Sequence, residues 1–108
     1  MPIITFTGKS TNKYDFNLYE RDTYFKDLPG IYVFLREELR SFKMLYIGQT
    51  SNFQNRIDKK LTEHDQYLCF IRNKYTHIAV LTVYGKEEKR LNIETDLRHN
   101  YTTLCNQQ

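Results

Sequence analysis

Four glycines, two prolines and two cysteines in 108 residues exclude several kinds of protein before any motif is read. Glycine and proline this sparse build no flexible linker, and the chain carries no internal repeat or low-complexity tract, so one domain is expected. Cys69 and Cys105 lack metal-ligand spacing, and they read as the free thiols of an intracellular chain. No apolar run approaches the roughly 20 residues of a membrane span. Residues 1–7 are too short for a signal peptide, and the expectation is a soluble cytoplasmic protein with no membrane partner. Excess charge is scarce as well. A net charge of +3 and a pI near 8.8 permit a polyanionic partner without demanding one, and any nucleic-acid face must concentrate that charge.

What the chain does have is aromatic side chains. Nine tyrosines and seven phenylalanines, within an apolar content of 40%, are enough for a small folded core. Tyrosine buries its ring while its hydroxyl stays wet, so its abundance points to a semi-polar groove beside that core.

Two short apolar runs, residues 31–35 and 44–47, flank a charged connection and read as a hairpin. Alternation puts Ile31, Val33 and Leu35 on one face of the first strand and Tyr32 and Phe34 on the other. Thr50 or Ser51 then caps an expected helix whose buried stripe is Phe53, Ile57, Leu61 and His64. Asp65 caps a shorter helix facing Tyr67, Phe70 and Ile71 inward. Residues 77–84 are rich in β-branched side chains and suit a central strand. A last helix, residues 86–101, carries Ile93, Leu97 and Tyr101 as its stripe. The predicted fold is α+β, a three-stranded antiparallel sheet flanked by helices in the order β-β-α-α-β-α, occupying residues 29–108. Residues 1–28 read as an irregular arm packed on that domain, with an edge strand over residues 2–7.

The chemistry-bearing residues cluster around the hairpin. Gly30-Ile31-Tyr32 and Tyr46-Ile47-Gly48 set two phenols on neighbouring strands, with glycines where a backbone can approach a ligand. Two converging hydroxyls can hold a phosphate oxygen or a water, although a tyrosine acting as base needs positive charge nearby. Arg56 could present two donors to a phosphate. Glu94 borders the last helix's stripe; its hard carboxylate suits Mg²⁺, yet Arg90 and Arg98 stand at i−4 and i+4 and could simply pair with it. Asn106 reads as a cap or a surface residue, or as a hydrogen bonder that orients a tyrosine or the segment carrying a metal ligand. For each residue the ordinary reading stands beside the chemical one: strand tyrosines, a solvated arginine, a helix ion pair.

Gly-Ile-Tyr, Tyr-Ile-Gly, Arg, Glu and Asn occur in that order, with steps of ten residues from Tyr46 to Arg56 and twelve from Glu94 to Asn106. This pattern, over about residues 28–106, resembles the GIY-YIG nuclease superfamily, as a compact single-domain member. The resemblance implies a divalent-metal-dependent endonuclease that hydrolyses phosphodiester bonds, with DNA favoured over RNA as the nucleic-acid partner. It implies Tyr32 and Tyr46 as catalytic tyrosines, Arg56 as the phosphate-binding arginine, Glu94 as ligand of a single Mg²⁺ or Mn²⁺, and Asn106 as a supporting polar residue. Gly48 supports the tyrosines. Members often carry Tyr or His four residues past the arginine, where this chain has Lys60; a lysine there can bind phosphate or depress a neighbouring phenol. His64, a turn further on, is the other supporting candidate. A chain this small either cuts with broad or structure-dependent specificity, or leaves recognition to a homodimer or a partner. The rival reading is a non-catalytic nucleic-acid- or protein-binding module that keeps the fold.

Overall fold

Five strands, β1 (Ile3–Thr7), β2 (Lys13–Glu20), β3 (Gly30–Glu37), β4 (Phe42–Thr50) and β5 (His77–Thr82), join in one sheet in a computed structural model that describes residues 2–106. The outermost ends of the two expected ranges, 1–28 and 29–108, lie outside the described residues. The sheet order is β1-β2-β5-β3-β4, and all four pairings are antiparallel. The α+β class stands, but the three-stranded sheet does not. The strands expected from the sequence are the adjacent β5, β3 and β4, and the supposed arm adds β1 and β2 beyond β5.

The physical reason lies in Lys13-Tyr14-Asp15-Phe16-Asn17-Leu18. Its polar residues are exposed while Phe16 is fully buried and Tyr14 and Leu18 are half-buried, the period of a strand with one covered face. β2 also pairs with β5 from Glu20↔His77 to Asn17↔Val80, which removes what would otherwise be an open edge on the most β-prone segment. The β1–β2 turn docks on the last helix. There Asp96 accepts bonds from the Ser10 N–H (2.8 Å), the Ser10 hydroxyl (2.6 Å) and the Tyr14 hydroxyl (2.7 Å).

Both sheet faces are covered. Ile31, Val33, Leu35 and Ile47 pack with Phe6, Phe16 and Leu97 under α2 (Glu87–Arg98), while Tyr32, Phe34 and Leu45 pack with Phe53, Ile57 and Phe70 on the other side. Each of these large side chains gains roughly 1.5–3 kcal/mol from full burial. Residues 31–35 are all buried, so β3 is the spine of the molecule. A register shift between Phe34 and Leu35 opposite β4 marks a bulge. It allows the sequence neighbours Leu45 and Tyr46 to join the same layer, against strict alternation.

The segment after β4 departs from the expected α-helix. Gln54–Lys59 is a π-helical turn closed by a bond from the Lys60 N–H to the Asn55 carbonyl, followed by a 3-10 turn, Leu61–Glu63. Its start is organised by Asn52, which accepts the Asn55 N–H at 2.9 Å, rather than by a cap at Ser51 or Thr50; Thr50 instead accepts the Asn52 N–H. In α1 (Tyr67–Arg72), Phe70 points inward, Ile71 is exposed and Asp65 provides no cap.

Cys69 and Cys105 form a disulfide, contrary to the free thiols expected. Widely spaced in sequence, they meet because α1 and the C-terminal segment bring their Cα atoms to 5.8 Å, within the usual reach of a bridge. The thiol argument for a compartment falls with it. Among the described residues, no helix is long and apolar enough to cross a membrane.

Candidate functional site

Tyr32 lies opposite Gly48 in the β3–β4 register, and Tyr46 lies two residues before Gly48 on the same face. The two rings sit 5.9 Å apart between centroids, tilted by 32°. Gly48 makes this possible: a Cβ there would fall 2.6 Å from Cζ of Tyr32, 2.7 Å from its hydroxyl and 2.7 Å from Cε2 of Tyr46. The glycine of the second tripeptide is therefore the space into which both phenols fit.

His64 completes the cluster. Its Nε2 is 2.8 Å from the Tyr32 hydroxyl, and its ring packs edge-on against Tyr46 at 5.0 Å and Phe70 at 4.9 Å. The Gln66 backbone N–H donates to His64 Nδ1 at 3.0 Å. Because Nδ1 is an acceptor, a neutral ring carries its proton on Nε2, which donates to the Tyr32 oxygen. The Tyr32 proton is then free to point towards Tyr46. Burial, reinforced by the Arg56 guanidinium and opposed by Asp65, lowers the His64 pKa from 6.5 to about 4, so the ring is neutral at physiological pH.

The phenols are held protonated. Burial raises the Tyr32 pKa well above its ordinary value, the neighbouring Tyr46 adds to this, and Arg56 opposes it through a hydrogen bond and its charge. Burial also raises Tyr46, followed by the Glu94 carboxylate, while Arg56, Arg98 and the Tyr32 hydroxyl pull the other way. Tyr32 is sealed in the interior whereas Tyr46 is only half-buried, so Tyr46 is the phenol with a route to solvent.

Arg56 is half-buried in the π-helical turn and bears on Tyr32, Tyr46 and His64 alike. Glu94 comes from α2, which packs against β4 from the opposite layer. Glu94 is half-buried, and desolvation raises its pKa against the pull of Arg98 and the Gln49 backbone N–H. The helix ion pair considered from sequence is not formed. Arg90 turns inward to the Gln49 side chain (3.0 Å) and the Gly85 carbonyl (3.4 Å), and among the described residues the one salt bridge is Arg36–Glu38.

Asn106 lies along the edge of β4, where its Oδ1 accepts the Ile47 N–H at 2.8 Å and its Nδ2 donates to the Ile47 carbonyl at 3.1 Å. It thus grips the backbone of the residue after Tyr46 and also accepts a bond from the Thr103 hydroxyl. Lys60 is exposed at the end of the π-helical turn, and its side chain forms no hydrogen bond or ion pair among the described residues. The structure therefore brings Tyr32, Tyr46, Gly48, Arg56 and His64 together on one face, with Glu94 and Asn106 flanking β4 and Lys60 outside. Sequence reasoning missed the bulge, the Asn106–Thr103 clamp and the direct His64–Tyr32 bond. His64's place at the end of the apolar stripe was the available signal for the last of these.

A single half-buried carboxylate outside any ion pair fits a hard divalent cation, which commonly takes one or two protein carboxylates and keeps its waters. No group of three or more His, Cys, Asp or Glu capable of holding a metal occurs among the described residues, so Glu94 would be the lone charged ligand. No family model, curated protein or solved structure matches this chain.

Proposed function

We propose that the protein is a divalent-metal-dependent endonuclease that hydrolyses phosphodiester bonds, DNA being the favoured substrate. The observation that carries this reading is the Tyr32–Tyr46 pair fitted over Gly48 with Arg56 beside both phenols. The order of its motifs, which resembles that of the GIY-YIG nucleases, supports the same reading.

In this reading Arg56 binds the scissile phosphate and offsets the charge that builds on it. Glu94 would hold one Mg²⁺ or Mn²⁺, which when bound would polarise the phosphate and offset the charge that builds on it. Tyr46, the half-buried phenol, faces the attacking water. It first loses its own proton to solvent, a loss favoured by the Arg56 and Arg98 charges. As the phenolate it takes the water's proton while the departing ester oxygen is protonated from solvent. Tyr32 donates towards Tyr46 from within, held in place by the Nε2–H of His64. Asn106 fixes the strand that carries Tyr46. Recognition beyond the phosphate falls to a second copy or a partner.

The test is incubation with supercoiled plasmid and single-stranded DNA in Mg²⁺, Mn²⁺ or chelator. Nicking is expected with either metal, is abolished by chelator, and falls at least about 100-fold in Glu94→Gln while the fold persists. Undiminished cleavage by that variant would remove Glu94 from the site. One observation favours a second reading, a binding module without catalysis: both phenols are held protonated. Retention of DNA with no cleavage under any metal would establish it.

A further inference from the structure

Two of the residues that fix Tyr46 from outside the sheet each adjoin a disulfide cysteine. Phe70, beside Cys69, packs edge-on against Tyr46 at 5.4 Å and against His64 at 4.9 Å. Asn106, beside Cys105, bonds both backbone groups of Ile47, and the Cys105 N–H donates to the Leu45 carbonyl at 2.8 Å. β4 is an edge strand, and these bonds from the C-terminal segment cover its outer side at Leu45 and Ile47, on either side of Tyr46. The segment has no strand or helix of its own, and ordering each of its residues costs about 1–2 kcal/mol that these few bonds must offset. The Cys69–Cys105 bond is the covalent tie between it and α1.

We propose that this bridge is a redox-sensitive latch: oxidised, it locks the C-terminal segment onto β4 and fixes Tyr46 for catalysis; reduced, it releases that wall of the site. The catalytic consequence rests on the phosphodiesterase reading above, whereas the release itself does not. Cys105 is buried and Cys69 is half-buried, so a dithiol reductant reaches Cys69 first. Its thiolate forms a mixed disulfide with Cys69 Sγ as the bond to Cys105 breaks and Cys105 leaves as a thiolate. The reductant's second thiol then displaces Cys69 and closes its own disulfide. Two electrons pass to the protein, and its two sulfurs take up two protons. Cys105 and Cys69 belong to the core around Tyr32 and Phe34, whereas the core under α2 that holds Val33 and Ala79 contains neither, so the opening is confined to one face of the sheet.

The experiment follows backbone amide exchange and DNA nicking on the full chain, oxidised and then reduced with dithiothreitol, beside the double variant Cys69→Ser/Cys105→Ser. On reduction the Ile47 and Cys105 amides should exchange at least about tenfold faster, while the Val33 and Ala79 amides keep their protection. Nicking should fall at least about fivefold through kcat with KM little changed, and the double variant should behave as the reduced chain in either condition. Unchanged Ile47 protection overturns the proposal. So does loss of protection at Val33 and Ala79 together with Ile47, which would make the bridge a global staple. Release of Ile47 with no cleavage in either state would keep the latch and defeat the nuclease reading instead.

Discussion

His64 gives the sharpest physical prediction because it tests the site's interior without assuming a reaction. Its ring is enclosed by Tyr32, Tyr46 and Phe70, its Nδ1 is committed to the Gln66 N–H, and the Arg56 charge is felt there. A second proton would have to enter at Nδ1, breaking that bond, and would put a cation among aromatic rings. The ring therefore takes a proton at about pH 4 in the folded chain and at 6.5 in the unfolded one. Between those values the unfolded chain holds a proton that the folded chain refuses, so stability is full above pH 6.5 and is lost as pH falls towards 4. At about 1.36 kcal/mol per pH unit, the gap amounts to about 3 kcal/mol as an upper bound.

Urea melts of the wild type and His64→Gln at steps from pH 4.5 to 7.5 measure this directly. Carboxylates that also titrate at the acid end, Asp58, Glu94 and Asp96 among them, cancel in the difference. The wild type should lose stability with a slope approaching about 1.4 kcal/mol per pH unit below 6.5, and the variant's profile should be flatter. Ring-proton NMR should show the His64 ring still neutral at pH 5, and that signal should be absent from His64→Gln. Parallel stability profiles, or titration of His64 near 6.5, would refute the buried Nε2–H tautomer and the His64–Tyr32 bond built on it.

Gly48→Ala puts a methyl group 2.6 Å from Tyr32 Cζ, where Tyr32 is sealed and cannot retreat. Chemical denaturation should show a loss of about 1–3 kcal/mol, and nicking should fall about 100-fold as Tyr46 is displaced; wild-type kinetics in this variant would show that the phenol pair is not the reacting centre. Asp96→Ala removes the acceptor of three bonds that dock the β1–β2 turn on α2, and should cost about 1–3 kcal/mol by denaturation with faster exchange of the Ser10 amide. The Ser10 and Tyr14 hydroxyls also hold the Asp96 carboxyl below its ordinary value. Its share of stability is therefore present above about pH 4 and fades as pH falls further, a dependence that Asp96→Ala should lack.

The parts of the molecule legible in the sequence are those that local pattern determines. Residues 31–35 alternate between two faces that are both buried, and the strand, its two-sided packing and the Tyr32–Gly48 neighbourhood follow from that alternation and a short charged connection. The same rule applied to residues 13–18 reads out β2. The aromatics of residues 1–28 taken together show no single period, because Tyr19 and Phe25 belong to the layer opposite Phe16. The helix after β4 misled for a different reason. Phe53, Ile57, Leu61 and His64 are spaced for an α-helical stripe, yet a π-helical turn and a 3-10 turn also bring Phe53, Ile57 and His64 inward. Periodicity reports which side chains are buried, and does not distinguish the backbone routes that bury them. The disulfide and the Asn106 clamp were beyond local pattern altogether. Both arise where a C-terminal segment meets the outer edge of β4 and α1, so their partners are 36 and 59 residues away. Contacts of that range depend on the sheet order, which placed β4 at an edge that needed covering. The fixing of Tyr46 is therefore a property of the assembled sheet, and the tripeptide that carries the residue determines only which strand it stands on.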